Sequence, residues 1–121
     1  SSSREGEVNM TEELQYVYVT TTGWKSGNPH TIEIWFVAYD GRYYIVSEHR
    51  ERSHWVQNIR RNPAIAFRVG DRHFQGRGRV VDPTAEPELA AAVCALMDAK
   101  YDWSDGLIVE LHPESEIAGG G

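Results

Sequence analysis

The chain has 121 residues, 40% of them hydrophobic and 11% aromatic, which is enough for one domain with a true core and too much for wholesale disorder. No apolar run approaches the roughly 20 residues of a membrane helix, and with Cys94 as its sole cysteine the chain can form neither an internal disulfide nor a cysteine-built zinc site. The net charge of −6 is unevenly laid out: residues 1–41 sum to −4, residues 42–79 carry nine arginines and sum to +6, and residues 80–121 sum to −8.

Residues 1–14 read as a disordered or engineered N-terminal tail, with no signal peptide, and residues 113–121 as a C-terminal tail, leaving a domain over 15–112. Gln15 to Thr22 is β-branched and aromatic and stops at Gly23, so a strand is expected. Thr31 to Tyr39 is a second strand, Asp40-Gly41 a strong hairpin signal, and Arg42 to Ser47 its partner. Ser53 is a plausible N-cap for a short helix with Trp55, Val56 and Ile59 as its apolar stripe, stopped by Asn62-Pro63. Ala64 to Val69, a Gly70-Asp71 turn and Arg72 to Val81 form another hairpin. Asp82-Pro83 is expected to open a longer helix to about Tyr101 that carries Cys94 in its packing, and Gly106 to Leu111 is a last strand. Six short strands with two helices placed late describe a mainly β (α+β) fold, a small antiparallel barrel.

Two places suit an anion. In TTTGWKSGNPH, Gly23 and Gly27 allow close backbone approach, Lys25 supplies a point charge and Ser26 a hydroxyl, although the same residues also make an ordinary hairpin turn. The helix start at Ser53, with Ser47, His49, Arg50, Arg52 and His54 nearby, is the second, because free N–H groups and the helix dipole favour a phosphate there. Strand parity sets Ile32, Ile34 and Phe36 on a core face and Thr31, Glu33 and Trp35 on the other, where a flat ligand beside Trp35 would explain an outward indole. Together these suit a ligand with a flat head and an anionic tail. A cationic middle in an acidic protein also points to a small anion rather than a long nucleic acid, although pairing with surrounding acids accounts for many of the arginines. The five histidines show no metal-ligand spacing, no GxSxG elbow marks a nucleophile, and neither a Rossmann turn nor a P-loop is present.

TTTGWKSGNP, the hairpin IEIWFVAYDGRYYIVS and the later HWVQNIRRNP together resemble the deazaflavin (F420)-dependent nitroreductase family, over about residues 16–111. The resemblance implies a six-stranded split β-barrel with two helices, of the FMN-binding, pyridoxamine-phosphate-oxidase-like kind. It implies a cofactor, deazaflavin coenzyme F420 with FMN as the alternative, held by Trp24, Lys25 and Ser26 at its phosphate and tail. His30, Thr31, Ile32, Glu33, Ile34 and Trp35 would line it, with Val46 and Ser47 from the returning strand and His54, Trp55, Val56, Gln57 and Asn58 from the helix that Ser53 opens. Trp35 is expected at the ring face, and Tyr101 or Trp103 on the substrate side. His30 stands where many members have arginine, and Glu33 and Glu48 also depart from the usual pattern.

The implied activity is hydride transfer from the reduced cofactor to a quinone or nitroaromatic, a small-molecule acceptor, by a cytoplasmic enzyme that could be a homodimer. A non-catalytic cofactor-binding module is the alternative, and a single-stranded nucleic-acid binder is the weaker one. No metal, nucleic-acid partner or membrane span is expected.

Overall fold

A computed structural model describes residues 16–22, 29–48 and 53–117. Strands β1 (Tyr16–Thr22), β2 (Pro29–Tyr39) and β3 (Arg42–Ser47) are followed by helix α1 (His54–Arg61), strands β4 (Ala64–Val69) and β5 (Arg72–Val80), helix α2 (Pro87–Tyr101) and strand β6 (Leu107–Ile117). All neighbouring strands are antiparallel, and the order β1-β2-β3-β6-β5-β4 closes on itself through the rungs Tyr18–Arg68, Val19–Phe67 and Thr20–Ala66. The fold is the expected six-stranded barrel with two helices.

The turns follow their residues. Asp40 and Gly41 both take positive φ (54° and 77°), the mirror-image turn that matches strand twist, while Gly70 (65°) opens the second hairpin. Alternation then fills the barrel. Val17, Val19, Phe36, Ile45, Ile65, Phe67, Val109 and Leu111 point inward and meet Trp55, Val56 and Ile59 of α1, which packs into this interior cluster. Gly78 leaves room for α1, since a Cβ there would sit 3.3 Å from Ile59. Outside the barrel, Ala90, Val93 and Met97 of α2 lie at helical spacing over Val37, Tyr44, Val46 and Ile108, with Cys94 packed beside them.

Two boundaries differ from expectation by about a helical turn or more. Asp82-Pro83 makes a turn instead of opening the helix: Asp82 Oδ1 accepts from the Thr84 amide and its carbonyl from Ala85 and Glu86. Pro87 decides this, because a helix begun at Pro83 would need an amide proton that Pro87 lacks, and Pro87 instead sits at the first helical position. Strand β6 runs on past Leu111 to Ile117, pairing with β5 as far as His73–Ile117 across an irregularity at Gln75/Gly76. There the His112 carbonyl occupies the space that a Cβ on Gly76 would need.

Candidate functional site

The strands are unequal in length, and this splits the barrel wall. Described pairing of β2 with β3 runs only from Phe36–Ile45 to Tyr39–Arg42, whereas β2 pairs with β1 from Trp35 back to Pro29. Among the described residues, positions 29–35 therefore have a ladder partner on one side. Because antiparallel amides alternate in direction, every second amide of this segment is turned toward the gap.

The start of α1 is tied to the strand ends bordering that gap. Ser53 is its N-cap residue but makes no side-chain cap; its Oγ lies 3.2 Å from Ser47 Oγ at the end of β3. Asn58, also buried, donates from Nδ2 to Thr21 Oγ1 at 3.2 Å, on the rung that pairs Thr21 with His30. The first turn of α1 carries no acid, and Arg60 and Arg61 sit in its last turn, as the dipole prefers. Trp24, Lys25 and Ser26, expected at the phosphate, lie outside the described residues, as do His49, Arg50 and Arg52. The first three belong to the connection between Thr22 and Pro29, which pair with each other.

Trp35 stands at the far end of the segment. From the Thr21–His30 rung to the Tyr16–Trp35 rung is five residues of strand, roughly 17 Å at 3.3–3.4 Å per residue. Its ring stacks on Tyr101 with centroids 4.5 Å apart and planes 1° from parallel, and meets Trp103 edge-on at 5.8 Å. The outward indole thus has partners within the chain. Tyr101 is anchored in turn, its hydroxyl donating to the Phe36 carbonyl at 2.7 Å and accepting from the Phe36 amide at 3.3 Å. Lys100 Nζ donates to the same carbonyl and lies over the Phe36 ring.

Burial pushes the Tyr101 hydroxyl up to about 12, and burial reinforced by the Glu110 hydrogen bond does the same for Tyr44. Both phenols are therefore protonated at neutral pH. Their folded values exceed the ordinary 10, so their stabilisation is complete below pH 10 and is lost as pH rises toward 12. We expect the unfolding midpoint to fall steeply across that window, with tyrosinate absorbance from these two residues delayed until the fold opens. Tyr44→Phe and Tyr101→Phe should each flatten part of the fall.

Some of the expected cofactor residues are packed into the fold. Trp55 and Val56 are buried in the barrel interior and Val46 beneath α2. Ile32 and Ile34 pack against the interior cluster and stay partly exposed. Thr31 and Glu33 do face outward, but each has a partner on β1: Thr31 Oγ1 lies 2.9 Å from Thr20 Oγ1, and Glu33 accepts from the Tyr18 hydroxyl at 3.0 Å. His30, His54 and Gln57 are exposed.

The arginines of the middle third largely meet the acids of the last. Arg79 bridges Glu110 (2.8 Å) and Glu86 (2.7 Å), Arg42 reaches Glu110 and His112, Arg72 holds Glu116, and Arg77 holds Glu114. Glu110 is the feature missed in the sequence. A lone carboxylate inside LIVELH was the signal, because a charge in an apolar strand has to be paired.

The model of the F420H(2)-dependent quinone reductase family matches residues 2–105. The chain belongs to that family. No curated protein matches it. Among solved structures it is similar to HutZ, a heme storage protein from Vibrio cholerae, with 17% identity, TM-score 0.73, and coverage of 92% of this chain and 90% of that one. A FAD-binding protein from Mesorhizobium loti follows at 13% identity and TM-score 0.68, covering 90% and 91%. A Listeria innocua chain provisionally assigned as a pyridoxamine 5′-phosphate oxidase aligns at 16% identity and TM-score 0.64, covering 89% and 90%. These likenesses show the fold, a six-stranded split barrel. Membership of the quinone reductase family bears out the resemblance read from TTTGWKSGNP and the segments after it.

Proposed function

We propose that this chain is an oxidoreductase that uses deazaflavin coenzyme F420, with FMN as the alternative, to reduce a quinone, and that nitroaromatics can take the quinone's place. The observation that carries the reading is the one-sided pairing of β2 over residues 29–35 beside the uncapped start of α1. A flat ligand with an anionic tail matches that arrangement. The α1 amides, the Ser47 and Ser53 hydroxyls and the connection bearing Lys25 and Ser26 would take the tail, and the ring would lie along β2 toward Trp35.

When bound, the cofactor supplies the hydride. The protein's own part is to bind, to orient, and to keep water out. Trp35, held by Tyr101 and Trp103, gives a rigid wall, and Tyr101 keeps its proton and its hold on Phe36. No side-chain nucleophile is needed.

Titration of cofactor-free protein with deazaflavin and separately with FMN, read by tryptophan quenching, tests the reading. Saturable quenching by one of them is expected, followed by turnover with a quinone. Lys25→Ala should weaken that binding about tenfold or more, the scale of one charge-assisted hydrogen bond, with an unchanged unfolding midpoint. Binding without turnover toward any acceptor would favour a cofactor-holding module, and no binding in a folded sample would defeat the proposal.

A further inference from the structure

The outer face of β1, β4 and β5 holds a cleft of about 240 Å³, separate from the gap beside β3. Its origin is a size mismatch between rungs. Tyr18, Arg68 and His73 form one rung, which continues to Ile117 on β6. The next rung passes through Thr20 and Ala66, and the small Ala66 leaves a depression between larger neighbours.

Two polar groups at this cleft lack what their counterparts have. Of the five arginines on strands, Arg42, Arg72, Arg77 and Arg79 each hold a carboxylate. Arg68 lies 4.6 Å over the Tyr18 ring and, among the described residues, pairs with no carboxylate. His73 Nδ1 is buried with no hydrogen-bond partner, the one such side-chain atom among the described residues. A buried polar atom left unpaired is unfavourable, and native folds rarely keep one without a reason. The residues lining the cleft include no acid, and its remaining walls are aromatic or aliphatic, with the Thr20 and Thr31 hydroxyls at one side.

We propose that this cleft binds a small aromatic carboxylate, with the carboxylate at Arg68 beside His73 and the ring against Ile117 over the depression at Ala66. The size agrees, since an apolar cavity of about 150 Å³ takes up benzene, and the extra room suits the acid group. A guanidinium binds a carboxylate through paired N–H donors, and Arg68 is held at the cleft by its place over the Tyr18 ring. The inference does not depend on the cofactor reading, although Thr31 borders both regions.

The test is titration of the full chain with benzoate, followed by calorimetry and by the imidazole resonances of His73. One-to-one binding that shifts His73 is expected, with benzyl alcohol at least tenfold weaker. Arg68→Met, which keeps the aliphatic stem over Tyr18, should weaken benzoate tenfold or more, and Ala66→Leu should abolish binding by filling the depression at an unchanged unfolding midpoint. Lys25→Ala should bind benzoate as the parent does, so failure of the cofactor site would leave this result standing. Equal affinity for the acid and the alcohol, full affinity in Ala66→Leu, or no shift at His73 would each overturn the proposal.

Discussion

Replacing Glu110 by alanine is expected to cost about 3 kcal/mol of folding stability, the lower end of the range for breaking a buried ion pair. At roughly 4 °C per kcal/mol for a domain of this size, the melting midpoint should drop by about 12 °C. The physical reason is a single rung of the barrel, since Tyr44, Glu110 and Arg79 are direct cross-strand partners on β3, β6 and β5. The carboxylate is 6% exposed and accepts from Tyr44 at 2.9 Å and Arg79 at 2.8 Å, with Arg42 at 3.5 Å. Its removal leaves a buried phenol without an acceptor and two arginines without their shared anion. Glu110→Gln keeps the shape and one acceptor oxygen and should recover part of the loss. A midpoint shift below about 3 °C in the alanine variant would show that the arginines re-pair with other acids. Calorimetric unfolding of both variants at neutral pH decides the matter.

Trp35→Ala is expected to be nearly as damaging. Truncating a packed tryptophan costs 3–5 kcal/mol in a full core, and with this ring only partly buried about 2–3 kcal/mol is expected. The loss comes from the parallel stack on Tyr101 and the edge contact with Trp103, which seat the end of α2 on β2. The same residue is the expected wall of the cofactor site, so stability and binding have to be separated. Trp35→Phe does so, since it keeps an aromatic partner for Tyr101 and should stay within about 1.5 kcal/mol of the parent. A several-fold loss of deazaflavin affinity in that variant, at a near-parental midpoint, would place the ring at Trp35. Unchanged affinity would leave Trp35 to the packing of α2 alone.

Local chemistry made much of the architecture legible. Asp40-Gly41 and Gly70-Asp71 can hardly be anything but hairpin turns, and the β-branched runs beside them alternate cleanly, so β3 and β4 match their expected bounds. The stripe of Trp55, Val56 and Ile59 likewise announced a short helix with one buried face. Two prolines compete for the start of α2, and Pro87 sets it while Pro83 stays in the preceding turn. The end of β6 was missed because His112 to Glu116 is polar, and its strand exists through pairing with β5 and ion pairs to Arg72 and Arg77.

For the candidate site the division is similar. Parity placed Thr31, Glu33 and Trp35 outward and Ile34 inward, and the short, polar HWVQNIRRNP segment put a helix start after β3. Residue type and period were enough for that, since side-chain direction in a strand is a local property. What occupies the outward space is not local. The Tyr101 stack on Trp35 spans 66 residues of sequence, and the links Asn58–Thr21, Tyr18–Glu33 and Glu110–Arg79 join side chains that only barrel closure brings together. The sequence by itself determined the hairpins, the faces of their strands and the family. The tertiary structure alone decided which polar groups find partners, because strand register and closure set those distances. It thereby distinguished the arginines held by acids from Arg68, beside the unpartnered His73.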